Sequence, residues 1–317
     1  MNNVVIFSFL VIFLSKGSLA KDDITDCLSR MLKLGDLDNV HSVREDARKQ
    51  LALAIKNRNK EKTLKIRTQL AELNEAIAVR ARKEQQDHAD VLFSHAADDY
   101  LALGLYHKAA KMSTKAGEFA AANAKKASSG GNNLATRALE RSAASNYRVA
   151  SDRSAQVGDR QSFAANALKS AGHYEKLGQY DDAIMQYIHA GNVKKAMEIV
   201  SRQRNNKNVD LAGFAGQRII TEGSHYLSLA NSIRDKATRE YAERTIKKDA
   251  FDEMHASADV YLAQGIQYHR FAWRKNGKNP AEVNESLAVL KSNLQQSPSI
   301  MKEILDADDL SKLAGKR

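Results

Sequence analysis

Acidic and histidine side chains recur at helical spacing in the first third of the chain, where they could hold a metal ion. Four of them share one stripe of a single predicted helix, within about 60° at 100° per residue: Glu84, His88, His95 and Asp99. Side chains four residues apart on a helix can present two ligands to one ion. The same spacing also produces ordinary exposed acid–histidine pairs. Because Val91 lies on the same stripe, packing of a helix face is favoured over a metal site.

Two further acid–histidine pairs have the three-residue spacing of helical di-iron bundles. They are Glu222 with His225 and Asp252 with His255. Such bundles need two bridging glutamates in addition to their Glu-x2-His pairs. Here the first pair brackets Gly223, the second has Asp in place of Glu, and nothing defines the bridging carboxylates. A ferritin-like metal-binding enzyme is therefore kept only as an alternative, and we predict that the protein needs no cofactor.

Nucleophilic catalysis has no recognisable setting in the sequence. The motifs HExxH, GxSxG, CxxC, GxGxxG and the P-loop are all absent. An activated serine or cysteine needs a base in a defined relation to it, and no serine shows one. Cys27 is the single cysteine, which rules out an intramolecular disulfide and leaves an intermolecular one open. We predict that the protein is not an enzyme.

Cationic and aromatic side chains in the second half of the chain indicate binding. The candidates are Lys194, Lys195, Arg202, Arg270, Trp273 and Arg274. Arg and Trp are frequent anchors of protein interfaces, and a Trp flanked by cations also suits a membrane surface. Packing of Trp273 beneath a terminal helix is the competing interpretation.

A short repeated pattern predicts the helices that would position these residues. The pattern is Y-x3-G-x-Φ-x2-A, with Φ apolar, and two successive copies begin at Tyr174 and Tyr187. An earlier copy begins at Tyr100, and a partial one around Gly117 follows at the same interval. The interval suffices for about three helical turns and a tight connection. The glycine would end one helix in the left-handed conformation, and the aromatic residue would enter the next.

Five glycines extend this spacing along the chain and predict helix ends. They are Gly117, Gly158, Gly191, Gly223 and Gly265. Their separations, roughly 30–40 residues, are typical of helical repeats. The first proline is Pro280, and a long proline-free stretch rich in Ala, Lys, Glu and Leu favours helix. We predict an all-α fold of stacked helical hairpins, preceded by a long N-terminal hairpin with its break at residues 57–60.

Residues 167–190 resemble a tetratricopeptide repeat. The small and aromatic positions of that family are occupied by Ala171, Tyr174, Gly178, Tyr180, Ala183, Tyr187 and Ala190, and residues 93–116 match similarly. The closing proline and the Leu-Gly pair of the family are missing. The Ala-Gly junctions at 116–117 and 190–191 are more similar to the irregular α-solenoids of soluble NSF attachment proteins and coat subunits. The resemblance implies a non-catalytic scaffold that binds proteins.

The N-terminal segment, up to Ala20, differs from the rest of the chain. Its apolar run Val4 to Leu14 is shorter than the roughly 20 residues of a bilayer crossing, and Ser18-Leu19-Ala20 suits a signal peptidase. We predict cleavage after Ala20 and a secreted or periplasmic protein; an uncleaved N-terminal anchor is the alternative. The expected parts are a signal peptide (1–20), a basic helical hairpin (21–92), a repeat domain (93–275, with a soft break at 128–133) and C-terminal capping helices (276–317).

The net charge of +11 predicts attraction to anionic partners. An acidic protein is the leading partner, an anionic membrane surface is the second, and export argues against nucleic acid. The function expected from the sequence is therefore that of an exported helical-repeat scaffold or adaptor. The oligomeric state and the identity of the partner stay open.

Overall fold

The computed structural model of the protein describes residues 40–84, 88–203, 217–275 and 280–314. Within these ranges the chain forms thirteen α-helices and no strand. Within each compact part of the chain, most helices adjacent in the sequence pack against one another, so the predicted all-α helical-hairpin repeat is confirmed. The predicted signal peptide and Cys27 lie outside the described residues. None of the described helices is both long and apolar enough to cross a bilayer.

The chain divides into two compact units, Met1–Leu105 and Tyr106–Arg317. In the first unit, α1 (Val40–Lys56) and α2 (Lys60–Lys83) form a hairpin, and α3 (Ala89–Ala102) packs on α2. The side chain of Asn59 caps α2 by accepting a hydrogen bond from the Lys62 backbone N–H at 3.0 Å. The break predicted at residues 57–60 is confirmed.

The second unit contains ten described helices. They are α4 (Tyr106–Ser129), α5 (Asn133–Gln156), α6 (Arg160–Lys176), α7 (Tyr180–His189), α8 (Val193–Gln203), α9 (Gln217–Ala242), α10 (Lys248–Lys275), α11 (Pro280–Gln296), α12 (Pro298–Ile304) and α13 (Ala307–Leu313). Sequential pairs pack side by side from α4 to α8 and from α9 to α12, and α10 also contacts α5, α7, α8 and α12. Helix α10 therefore holds together elements that are far apart in the sequence.

The spacing inside the repeated pattern serves packing. Tyr174, Ala183, Tyr187 and Ala196 are all buried in one cluster, together with Phe271 of α10. The pattern glycines Gly104, Gly178 and Gly191 take a left-handed φ of +73°, +74° and +75° between helices, as their positions predict.

Three of the glycines predicted to end helices lie inside them instead. Gly117 is within α4, Gly223 within α9 and Gly265 within α10, so that part of the prediction is wrong. Each of them is needed for close approach. A Cβ on Gly117 would lie 2.8 Å from the Tyr147 ring, and one on Gly265 would lie 2.7 Å from Leu227. Spacing alone does not separate a glycine that turns the chain from one that admits a neighbouring helix.

Candidate binding surfaces

The acid–histidine stripe predicted in the first unit does not form. Helix α2 ends at Lys83, Glu84 is its C-cap, and α3 begins only at Ala89 with His88 as its N-cap. The four side chains therefore do not share one helix. His95 lies 3.4 Å from the Arg44 guanidinium, and Asp99 accepts a hydrogen bond from Asn74 at 2.8 Å.

The remaining acid–histidine pairs lie on α9 and α10. His225 packs against the Tyr226 ring at 5.6 Å between centroids, and His255 packs against Phe251 at 4.3 Å. In the part of the chain that the structure describes, no three His, Cys, Asp or Glu side chains converge as metal ligands.

The cations predicted as binding residues near the end of α10 contact aspartates of the terminal helices. The Arg270 Nε donates to Asp309 at 2.7 Å and its Nη2 donates to Asp306 at 2.9 Å. Arg274 contacts the same two carboxylates, each at 2.7 Å. Asp309 is only 1% exposed, so its two guanidinium partners supply the charge compensation that a buried carboxylate requires. This network joins α13 to α10.

Trp273 is half-buried and packs against the apolar cluster formed by α9, α10 and the terminal helices. Its indole therefore contributes to the packing of this cluster. A hydrogen bond from the Asp309 backbone, together with the neighbouring guanidiniums, holds the pKa of Asp306 below its ordinary value. These contacts give Arg270, Trp273 and Arg274 a role in positioning the C-terminal helices.

The other predicted cations belong to α8. Arg202 donates to Glu175 of α6 at 2.6 Å, and Lys195 lies 3.2 Å from Glu198 on its own helix. The Tyr187 hydroxyl donates to the same Glu175 carboxylate at 2.8 Å. Lys194 is exposed. Three helices thus meet at Glu175, and α8 presents Lys194 to solvent.

A more extensive cationic surface lies on α4. Five lysines fall within an arc of about 100° along this helix, over roughly 27 Å: Lys108, Lys111, Lys115, Lys125 and Lys126. The opposite side of α4 is buried and lined by small residues such as Ala109, Ala116 and Ala120. Glu118 is the acidic residue within this arc, and it lies 3.6 Å from Lys169 of α6, which balances its charge. We call the five lysines the α4 lysine face.

The α4 lysine face was not predicted from the sequence, because the glycine spacing indicated a helix end at Gly117. With a break there, the lysines before and after it would have no common face. The structure makes one helix of Tyr106–Ser129, which brings the two groups into register. The spacing of Lys108, Lys111 and Lys115 was a usable signal in the sequence.

No model of a known protein family matches the chain, and no curated protein matches it either.

Proposed function

We propose that the protein is an exported, non-catalytic helical-repeat scaffold that binds a protein with an acidic surface. The observation that carries the proposal is the α4 lysine face. One continuous helix carries these five lysines in a row about 27 Å long, which is within the reach of one protein contact surface. Lys111, Lys125 and Lys126 are exposed along it. Cations arranged in this way attract an acidic partner over long range and fix its register.

The architecture supports the same proposal. Four residues of the tetratricopeptide-like pattern are buried, namely Tyr100, Tyr174, Ala183 and Tyr187, so the outward side chains of these helices are available for a partner. Repeat scaffolds of stacked hairpins commonly bind through such extended surfaces.

Binding to an anionic membrane is the second candidate, and it rests on the α1–α2 turn. Lys56, Arg58 and Lys60 are exposed at this turn. Leu53 and Leu64, 47% and 59% exposed, flank them. Apolar side chains beside cations suit an anionic lipid surface, where each cation contributes about 1 kcal/mol.

Cross-linking and capture from the exporting compartment test the leading proposal. We expect the triple variant Lys111→Glu, Lys125→Glu and Lys126→Glu to lose the partner that the wild type captures. A matched variant, with Arg239, Lys247 and Lys248 changed to Glu, has the same net charge and should keep it. Equal capture by the two variants would remove the α4 lysine face from the proposal.

Sedimentation with vesicles separates the membrane candidate. Phosphatidylcholine vesicles that also contain phosphatidylserine should retain the wild type, whereas vesicles of phosphatidylcholine alone should not. Changing Lys56, Arg58 and Lys60 to Glu should release the protein from the anionic vesicles. Retention that does not depend on the anionic lipid would reject this second candidate.

A further inference from the structure

The solvent-facing side of α5 carries three exposed arginines in a narrow row, namely Arg137, Arg141 and Arg148. At 100° per residue they fall within an arc of about 40°. At 1.5 Å per residue, successive members are about 6 Å and about 10 Å apart along the helix axis. We call these three residues the α5 arginine row.

The arginines of this row differ from most others of the second unit in how they are paired. In the part of the chain that the structure describes, none of the three has an ion-pair or hydrogen-bond partner. Five arginines elsewhere in the unit are ion-paired with carboxylates, namely Arg160, Arg202, Arg234, Arg270 and Arg274. The charge of the α5 arginine row is therefore available to a ligand.

The acidic residue inside the row turns away from it. Glu140 comes between Arg137 and Arg141 in the sequence, but it is buried against α6. Its carboxylate contacts the His173 ring and lies 3.0 Å from the Lys176 ammonium. Glu140 is therefore balanced by α6, and it leaves the charges of Arg137 and Arg141 in place.

Asp152 bounds the row at its C-terminal end. It lies one helical turn after Arg148 and is exposed. Desolvation by the surrounding protein raises the pKa of Asp152 to about 6, against the opposite effect of Arg148 and Arg153. At pH 7.5 this carboxylate is ionised, so it reduces the attraction that Arg148 offers to an anion. A ligand is therefore held most strongly at Arg137 and Arg141.

The residues beside the row are small. Ala138 and Ser145 lie next to it on the same side of α5, and Ala138 is exposed. Leu134, 83% exposed, precedes Arg137 by one helical turn. Protein interfaces have an apolar or aromatic core, and one leucine at the end of the row does not provide it. The small neighbours instead leave room for a thin polar chain to lie along the arginines.

The guanidinium groups define the chemistry of such a chain. Each planar guanidinium can donate two parallel N–H bonds to a sulfate, phosphate or carboxylate group. Arginines in a straight line match anions that repeat along a linear polymer. Clusters of basic residues bind nucleic acid or heparin-like polymers through their charge. The secretory signal predicted from the sequence favours the heparin-like polymer.

We propose that the α5 arginine row binds a linear polysaccharide that carries sulfate groups. The row lies on a different helix from the α4 lysine face, and this inference goes beyond the proposed binding of an acidic protein. It rests on the proposed export only in the choice of a sulfated polysaccharide over nucleic acid. The polysaccharide would run along α5, with one anionic group at Arg137 and another at Arg141.

Fluorescence anisotropy with a labelled heparin octasaccharide and the full chain, at pH 7.5 and about 0.15 M salt, tests the proposal. The double variant Arg137→Gln, Arg141→Gln should bind at least about tenfold more weakly, and Arg148→Gln about twofold more weakly. The matched double variant Lys247→Gln, Lys248→Gln removes the same charge from exposed positions at the turn between α9 and α10, and it should keep its affinity within about twofold. Equal weakening by the two double variants would mean that net charge alone attracts the octasaccharide, and it would overturn the proposal.

Two further measurements identify the anion and the role of the guanidinium. Arg137→Lys, Arg141→Lys keeps the charge but removes the planar fork, and it should bind about threefold more weakly; unchanged affinity would contradict recognition by paired N–H bonds. Poly-glutamate with the same number of charges should bind the wild type at least about tenfold more weakly than the octasaccharide. Equal binding of poly-glutamate would assign the row to acidic proteins and reject the polysaccharide. Circular dichroism checks that each variant is folded, and none of these variants changes α4, so loss of the octasaccharide and loss of the acidic partner are distinguishable.

Discussion

The turn between α5 and α6 packs directly on the backbone of α10, which makes Gly158→Ala a sharp test of the fold. Gly158 has a left-handed φ of +71°. A Cβ at this position would collide with the Ala256 Cβ and would lie 2.7 Å from the Ala256 carbonyl carbon and 2.9 Å from the Ser257 nitrogen. A side chain tip could swing away, but the backbone of a 28-residue helix cannot. The substitution must therefore separate the turn from α10.

The expected loss has two parts. A non-glycine residue in the left-handed conformation costs about 1–2 kcal/mol, less the few tenths to about 1 kcal/mol gained by restricting the unfolded chain. Forcing an atom into closely packed backbone adds about 1–3 kcal/mol. Gly178 is the matched control, since its φ is +74° and nothing lies within 4 Å of its Cβ position. Gly178→Ala should therefore cost about 1 kcal/mol, and Gly158→Ala about 2–4 kcal/mol.

Urea denaturation of both variants, followed by circular dichroism, measures this difference in the free energy of unfolding. Thermal unfolding should show the melting temperature of Gly158→Ala about 4–8 °C below that of Gly178→Ala. If the two variants lose the same stability, the turn does not pack on α10 and the reasoning fails.

Three further predictions concern the second unit. Gly117→Ala should destabilise the protein by about 1–2 kcal/mol, because the added Cβ would meet the Tyr147 ring. Gly172 also lies inside a helix but has open space around it, so Gly172→Ala should stabilise the protein by about 0.5–1 kcal/mol. Denaturation curves in which both variants change stability in the same direction would contradict this. Burial lowers the pKa of His269 to about 4, so the unfolded chain binds a proton below about pH 6.5 that the folded chain does not. The free energy of unfolding therefore falls from pH 6.5 to 4 by up to about 1.4 kcal/mol per pH unit because of this group. Urea titrations at several pH values should show a smaller dependence of this free energy on pH for His269→Gln, with the contribution of His189, which has the same sign, left in place. An unchanged pH dependence would refute the assignment. Arg270→Leu leaves the buried Asp309 with one guanidinium partner in place of two. We expect the free energy of unfolding to fall by at least about 2 kcal/mol and the C-terminal helices to be proteolysed faster. Unchanged proteolysis would exclude this network as the contact that holds the C-terminal helices in place.

Much of the local structure followed from short-range sequence patterns. The break at residues 57–60 and the helix ends at Gly158, Gly178 and Gly191 are where the sequence predicted them. These features depend on energies within a few residues: a polar side chain caps a helix, and glycine alone takes a left-handed φ at little cost. The α4 lysine face was also encoded locally, but the misplaced end at Gly117 concealed it.

The candidate sites depended on long-range contacts. Arg270 and Arg274 looked like interface anchors in the sequence, yet their partners are aspartates of the C-terminal helices, on the far side of α11 in the chain. A cavity lined in part by His189 and Gln267 likewise joins the end of α7 to the middle of α10. Nothing in the neighbourhood of either residue in the sequence indicates that the Nδ1 of His189 and the Oε1 of Gln267 would be buried without a hydrogen-bond partner among the described residues.

By itself, the sequence determined that the chain is helical, that its hairpins repeat and that its surface is strongly cationic, because helix propensity, turn glycines and charge are properties of neighbouring residues. Only the tertiary structure decided which glycines turn the chain and which admit another helix, which arginines are paired internally, and where a cavity remains. Those outcomes depend on how helices distant in sequence pack, and packing is set by the shapes of both partners at once.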